Sequence, residues 1–302
     1  MRRPPALPPG GTIGIVNPSS PLEPELLDVG IAALEARGFR VVVAPHARDR
    51  YGHMAGRDED RAADFFSFYA DPAVHVLWCA RGGSSACRLW PLLDWDALAA
   101  LPPKMVIGYS DTTSLLIPLN QRVGAVALHG PLIFELGGLA PDVLDWQLRL
   151  LQDPAPGGLV PGCAPDTLVP GIAEGALGGG CLSLVAATLG TPYQINARGK
   201  LLLLEDIHEA PHRIERMLVQ LAQAGILGSA AGFVIGQAAD SDDTETLPLR
   251  CIWADLLAPY GKPAVLGFPF GHVTPNYALP LGVRARLDAD AGTLTLLDSA
   301  VI

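Results

Sequence analysis

Three short segments of this 302-residue chain carry side chains able to do covalent chemistry. In the first, Gly108-Tyr109-Ser110-Asp111-Thr112-Thr113, the apolar run Met105-Val106-Ile107 ends at a glycine and is followed by a serine and then an apolar helical pattern. That order predicts a strand, a tight turn and a helix. A serine on such a turn can point its hydroxyl into a cleft beside the first N–H groups of the helix. Ser110 is also suited to the ordinary role of capping that helix. In the second segment, Leu201-Leu202-Leu203-Leu204 predicts a buried strand, and the acids Glu205 and Asp206 begin where it is expected to end. A carboxylate at a strand terminus can be held rigidly and partly desolvated, which suits orienting a histidine, although a solvated surface turn fits the same residues. The third segment, Gly267-Phe268-Pro269-Phe270-Gly271-His272, sets a histidine in glycine-flanked, loop-like sequence after the short apolar run 264–266. Loops on a rigid scaffold often carry function, while a lone histidine is commonly structural. Ser110, Glu205 and His272 would supply nucleophile, orienting acid and base in that chain order, and a triad is defined by geometry rather than by order.

Two further patterns invite other chemistry. Arg81-Gly82-Gly83-Ser84-Ser85 follows the strand predicted at 74–79, and its glycines could turn backbone N–H groups toward a phosphate or an oxyanion. No Gly-Lys-Ser/Thr follows, so a P-loop is excluded, and G-x-G-x-x-G is absent. Gly178-Gly179-Gly180 before an apolar helix raises the phosphate reading again, with a tight turn as the simpler expectation. His208-Glu209-Ala210-Pro211-His212 matches H-E-x-x-H, a zinc-protease pattern that requires both histidines on one helical face. Pro211 disfavours helical geometry for Ala210, so the helix is expected to begin near Pro211 and the zinc reading with His208, Glu209 and His212 is the weakest of the set.

The elements needed to position these residues are legible around them. In the first half, strands are predicted at 12–16, 39–43, 74–79, 105–107 and 125–128, alternating with helices at 24–37, 58–69 and 112–122. This β-α alternation implies an α/β fold, a doubly wound, mostly parallel sheet with helices on both faces, and ligands then bind beyond the carboxyl ends of the strands. Asn17-Pro18-Ser19-Ser20, Arg81-Gly82-Gly83 and Gly108-Tyr109-Ser110 all fall at such ends. Residues 1–153 read as this N-terminal domain, 154–170 as a Pro- and Gly-rich linker, and 171–302 as a smaller C-terminal α+β domain. In the C-terminal part, strands are expected at 172–176, 201–204, 233–235, 283–287 and 293–297, with helices at 182–189 and 214–224. Composition narrows the function classes. Hydrophobic residues are 49% and charged residues 17%, which argues against disorder. A net charge of −10 argues against broad nucleic-acid binding, which needs a basic surface. The five cysteines are scattered without a C-x-x-C, so neither a disulfide framework nor a cysteine zinc site is expected. The basic start Met1-Arg2-Arg3 runs into prolines where a signal peptide needs an apolar core, and no apolar run is long enough for a membrane span. A soluble cytoplasmic protein is expected.

The ordered set of motifs resembles the LD-carboxypeptidase family, serine peptidase family S66, which includes murein tetrapeptide carboxypeptidases and microcin C immunity peptidases. The likeness runs almost end to end. It includes Ile13 to Ser20, Ala55-Gly56-Arg57-Asp58, Arg81-Gly82-Gly83 with Arg88-Leu89 and Asp94-Trp95, and Gly108 to Thr113. It continues through His129-Gly130-Pro131, Gly190-Thr191-Pro192, Leu204 to Ile207 with Arg213 to Leu218, Gly271-His272 and Leu279-Pro280-Leu281-Gly282. The resemblance implies a triad of Ser110, Glu205 and His272 assembled across the two domains. It also implies an oxyanion hole from the backbone N–H of Asp111 and of Gly82 or Gly83, no metal or other cofactor, a small peptide substrate and commonly a homodimer. Release of D-alanine from murein tetrapeptides is the expected reaction, with cleavage of peptidyl-nucleotide conjugates as the alternative. A carboxypeptidase must hold a free carboxylate, for which Arg81 and Arg213 are candidates because a guanidinium binds it bidentately. Two positions depart from the family pattern: Ser84-Ser85 stands where members often carry Tyr-Gly, and Cys181 stands where many carry asparagine after the glycine pair.

Overall fold

The computed structural model describes residues 1–164, 166–241 and 247–302. The chain divides into two compact units, Met1–Pro154 with Ala300–Ile302, and Ala155–Ser299.

In the first unit, β1 (Thr12–Val16), α1 (Pro24–Glu35), β2 (Arg40–Val43), α2 (Asp58–Ala70) and β3 (Val76–Cys79) are followed by α3 (Trp95–Ala100), β4 (Met105–Gly108), α4 (Thr113–Pro118), β5 (Ala127–His129) and α5 (Pro141–Gln152). Local chemistry sets the boundaries. Proline at the first turn starts α1 and α5, where its missing N–H is not needed. Three acids, Asp58, Glu59 and Asp60, open α2 against the positive end of its dipole. Gly38, at a φ of 84°, turns the chain after α1. The strands pair in parallel in the order β5-β4-β3-β1-β2. The order reverses between β1 and β3, the switch point at which doubly wound sheets bind ligands beyond their carboxyl ends. The loops that leave β1 and β3 there are 17–20 and 81–85. The helix expected at 112–122 forms in three pieces: a 3₁₀ turn at Ser110–Thr112, then α4, then a π turn at Leu119–Val123 following Pro118, whose ring cannot continue the regular hydrogen-bond ladder.

The second unit contains β6 (Gly158–Leu159), β7 (Asp166–Val169), β8 (Ile172–Cys181), α6 (Leu182–Ala187), β9 (Lys200–Ile207), α7 (Pro211–Gln223) and α8 (Ile226–Ser229), then β10 (Gly232–Ala239), α9 (Leu249–Leu257), β11 (Ala264–Leu266), β12 (Leu279–Leu281), β13 (Arg284–Asp288) and β14 (Thr293–Leu296). Its mixed sheet runs β6-β14-β13-β8-β9-β10-β11-β7, with parallel β8-β9-β10-β11 at the centre and antiparallel strands on both sides. Leu201, Leu202, Leu203 and Leu204 of β9 are fully buried. Each is worth about 2 kcal/mol relative to exposure, which is what makes β9 a rigid support for the residues that follow. The amphipathic α7 buries Ile214, Leu218 and Leu221 at helical spacing.

Three expectations are corrected. The segment 154–170 is not a plain linker, because it supplies β6 and β7 to opposite edges of the second sheet; Pro165 within it lies outside the described residues. Gly178-Gly179-Gly180 is not a turn but the carboxyl half of β8: a Cβ on Gly179 would sit 2.1 Å from the Leu203 carbonyl oxygen, so the glycines permit close approach of β8 to β9. β9 does not stop at Leu204 but runs through both acids to Ile207. Among the described residues no helix is long and apolar enough to cross a membrane.

Candidate active site

Ser110 stands at the carboxyl end of β4, on the turn into α4. Tyr109 is extended, and Ser110 then takes a φ of 61°, a left-handed conformation that disfavours a side chain with a Cβ by roughly 1–2 kcal/mol. Strain of this kind persists where surrounding contacts impose it. Here Thr112 Oγ1 donates to the Tyr109 carbonyl at 2.8 Å and Ser114 Oγ to the Asp111 carbonyl at 2.7 Å. Gly108 is required just before the turn, since a Cβ there would lie 2.3 Å from Thr112 Oγ1. Ser110 does not cap the helix with its side chain: Thr112 and Tyr109, the cap positions of α4 and of the 3₁₀ turn, make no side-chain cap bond, and Ser110 itself is the first residue of that turn.

The turn after β3 is packed against this serine. A Cβ on Gly82 would lie 2.8 Å from Ser110 Cβ and 3.0 Å from its Oγ, so only glycine fits without displacement. Gly83 has a φ of 114°, and a Cβ on it would meet Ser20 Oγ at 2.3 Å. Ser20 N–H donates to the Gly82 carbonyl at 3.2 Å, and Ser84 N–H donates to Ser20 Oγ at 3.1 Å. The expected oxyanion residues Gly82, Gly83 and Asp111 therefore gather in the unit that holds Ser110. Arg81, on the same turn, is tied to the loop after β1 by a 2.9 Å bond from Nη1 to the Pro21 carbonyl. Ser85, at one of the two positions that depart from the family pattern, has a φ of 84°, the conformation a glycine adopts without strain.

The acid and the base meet in the second unit. Glu205 lies within β9, its side chain fully buried, and its Oε2 accepts two bonds from one residue: His272 N–H at 3.0 Å and His272 Nδ1 at 2.7 Å. A carboxylate only accepts, so the contact assigns the imidazole proton to Nδ1 and leaves Nε2 as the acceptor. Two glycines and a bulge make room. In β10 the register skips between Ile235 and Ala238, opposite Glu205, and a Cβ on Gly236 would come 2.8 Å from Glu205 Cβ. Gly271, at a φ of 86°, has space for no side chain, because a Cβ would stand 2.3 Å from Glu205 Oε2. Gly271 N–H is held by Asn276 Oδ1 at 2.9 Å, which fixes the histidine loop. Asp206, the neighbouring acid, has a different task. Its carboxylate accepts from Ser183 N–H at 2.7 Å and Ile207 N–H at 2.9 Å, so it tethers the start of α6, and burial pushes its carboxyl above the usual range.

The remaining predicted residues fall elsewhere. His208 has a φ of 58° and precedes α7, which starts at Pro211, so His208 and His212 are not on one helical face. Glu209 is 3.5 Å from Arg213, an exposed i,i+4 ion pair. Among the described residues no group of three His, Cys, Asp or Glu side chains is placed to hold a metal ion. The five cysteines are free thiols. Cys79, at the end of β3, is pushed up to about 12 by burial and then by Asp111, and Cys181, registered beside Glu205, is raised by burial and by that carboxylate. Sequence reasoning missed Arg61, Gly236, Asn276 and the side chain of Asp111. Arg61 had a signal: it is a charged residue in the stripe with Ala62, Phe65 and Tyr69 that α2 buries.

Comparison with known proteins agrees with this architecture. Residues 13–130 match the LD-carboxypeptidase N-terminal domain and residues 174–287 the LD-carboxypeptidase C-terminal domain of peptidase family S66. A probable murein peptide carboxypeptidase of Bacillus subtilis is 36% identical over 301 residues, covering 97% of this chain and 94% of the relative. The crystal structure of muramoyltetrapeptide carboxypeptidase from Oxalobacter formigenes superposes with a TM-score of 0.83 at 31% identity, covering 94% of this chain and 97% of the other. The microcin C7 self-immunity protein MccF has the same fold, with a TM-score of 0.90 at 22% identity and full coverage of both chains. The fold and the matches define a serine-type carboxypeptidase, a hydrolase of peptide bonds. The chain belongs to the LD-carboxypeptidase family.

Proposed function

We propose that this carboxypeptidase hydrolyses the L,D-peptide bond that releases terminal D-alanine from murein tetrapeptides, with Ser110 as nucleophile, His272 as base and Glu205 as the acid that orients it. The observation that carries the reading is the buried Glu205 carboxylate on His272 Nδ1, which leaves Nε2 as the basic nitrogen. In this mechanism Nε2 takes the Ser110 proton as Oγ adds to the scissile carbonyl. Glu205 stabilises the imidazolium without taking its proton. The N–H groups of Asp111 and of Gly82 or Gly83 hold the oxyanion, each donor being worth about 3 kcal/mol in the transition state. The imidazolium then protonates the departing amine of D-alanine. Water, activated by the same nitrogen, adds to the acyl-enzyme and restores Ser110. Arg81 is the better candidate for the substrate carboxylate, because it adjoins the Gly82 turn, whereas Arg213 is exposed and paired with Glu209.

The relatives named for murein peptides support this substrate at 31–36% identity, while the likeness to the microcin immunity protein is one of fold. The test is D-alanine release from purified murein tetrapeptide by wild type and by Ser110→Ala, side by side with an aminoacyl-nucleotide conjugate. Loss of release in S110A is expected. Full activity of S110A overturns the nucleophile, and hydrolysis of the conjugate alone overturns the substrate. The same proposal includes a cytoplasmic homodimer, checked by cell fractionation and by light scattering of the purified protein.

A further inference from the structure

The Asp111 carboxylate has no part in the chemistry above, yet it is buried at 3% exposure one residue from the nucleophile. Its Oδ2 accepts the Ala86 N–H at 2.8 Å. Ala86 begins the 3₁₀ turn that closes the 81–85 loop, the loop whose Gly82 lies against Ser110. The main chain of Asp111 thus belongs to one wall of the expected oxyanion site, and its side chain fastens the other. Arg61, 2% exposed on α2, spans the same loops from below. Its Nη1 donates to the Pro18 carbonyl after β1 and to the Ser85 carbonyl at 3.4 Å after β3. Its Nη2 pairs with Asp58, which is itself bound by Arg88 Nε at 2.7 Å and held below the usual carboxylate range by Arg88 and Arg61. The loops leaving β1, β3 and β4 are therefore fixed to one another by two buried charged side chains. Burial pushes the Asp111 carboxyl above its ordinary range, so an acid here opposes stability at neutral pH. The strained φ of 84° at Ser85 comes just before the peptide group that both side chains hold, Arg61 by its carbonyl and Asp111 by its N–H.

We infer that the Asp111 side chain and Arg61 are positioning residues that hold the Gly82 turn in register with Ser110, so that both oxyanion donors face the same point. The inference rests on Ser110 as the nucleophile and goes beyond it. Asp111→Ala removes the anchor and leaves the Ala86 N–H without its acceptor, and a misplacement of about 1 Å lowers kcat by about 10²-fold. KM is expected to stay within about 3-fold, because ground-state contacts are untouched. Phosphonylation of Ser110 by a p-nitrophenyl phosphonate, whose phosphoryl oxygen uses the same donors, should slow in parallel. Asp111→Asn keeps an acceptor oxygen for Ala86 and should recover most of both rates. A variant with merely looser packing would lose thermal stability without this split or this rescue. Should D111A fail to fold, Arg61→Lys carries the test: it keeps the charge but not the fork that spans two carbonyls, and kcat should fall about tenfold with KM unchanged. Wild-type kcat and phosphonylation in D111A, no recovery in D111N, or an unaltered R61K each overturn the positioning role. S110A serves as the reference. If it is inactive and unlabelled while D111A behaves as wild type, only the positioning role fails; if it still turns over, the nucleophile reading fails as well.

Discussion

The serine half of the chain's candidate residues, in the first unit, and the histidine half, in the second, are built by opposite means. Around Ser110 the backbone is bent into left-handed conformations at Ser110 and Ser85, and hydrogen bonds among three strand-end loops hold it there. Around His272 the bulged β10 and two glycines clear space so that a fully buried carboxylate can meet a loop. One half stores strain; the other depends on exclusion of water and of side chains. The first should answer to changes in backbone preference, the second to changes in charge or volume.

The largest effect that tests this contrast is Glu205→Gln. The amide is nearly isosteric, but its NH₂ can stabilise the wrong imidazole tautomer, and kcat should fall about 10⁴-fold with the fold intact. Steady-state kinetics beside circular dichroism measure it, and a loss under tenfold would remove Glu205 from the role. Next, Gly271→Ala and Gly82→Ala set the two halves against each other. At Gly271 the new Cβ strikes the buried carboxylate from a left-handed backbone, so kcat should drop about 10²-fold and stability by about 1–3 kcal/mol. Gly82 has no left-handed φ, but its new Cβ would stand 2.8 Å from Ser110 Cβ, so alanine there should lower phosphonylation of Ser110 about tenfold and shift the urea midpoint less than Gly271→Ala does. Equal stability losses in the two variants would erase the distinction. Smaller again, Ser85→Gly relieves its φ of 84° and should raise stability by about 1 kcal/mol in urea unfolding.

The smallest effect concerns His46, which follows β2. Its Nδ1 is 3.0 Å from Asp64, a hydrogen bond that raises its pKa above 6.5. The folded state binds that proton more tightly than the unfolded state. The added stability is therefore full below pH 6.5 and lost as pH rises through the raised value. His46→Gln should flatten the urea midpoint across this window; an unchanged slope would deny the linkage.

Much of this was legible in the sequence where side-chain pattern and backbone demand coincide. The β-α alternation of the first half gave the parallel strands, and the glycine before Ser110 gave the turn. The zinc pattern could be set aside because Pro211 starts a helix. The second half was harder, for physical reasons. Glu205 and Asp206 look like the end of a strand because their side chains are charged, but their backbones stay in the ladder between β8 and β10. Hydropathy cannot see a carboxylate whose solvation is replaced by the backbone and ring N–H groups of one histidine. Gly178 to Gly180 read as a turn because glycine marks turns, whereas here it marks backbones pressed together. The role of the Asp111 side chain was hidden because a buried bond to a main-chain N–H leaves no pattern in residue types, whereas Arg61 did leave one, as a charge within the buried stripe of α2.

The two thiols that border the halves have a practical consequence. Cys79 and Cys181 are buried and their thiols are pushed far toward the neutral form, so neither offers a thiolate to an electrophile at neutral pH. Cys163, by contrast, is exposed. Alkylating reagents will thus be consumed first at Cys163 and spare these two buried thiols, while a serine-directed phosphonate is aimed at Ser110, the proposed nucleophile. The stoichiometry of that second label becomes a direct count of competent active sites in any preparation of the enzyme.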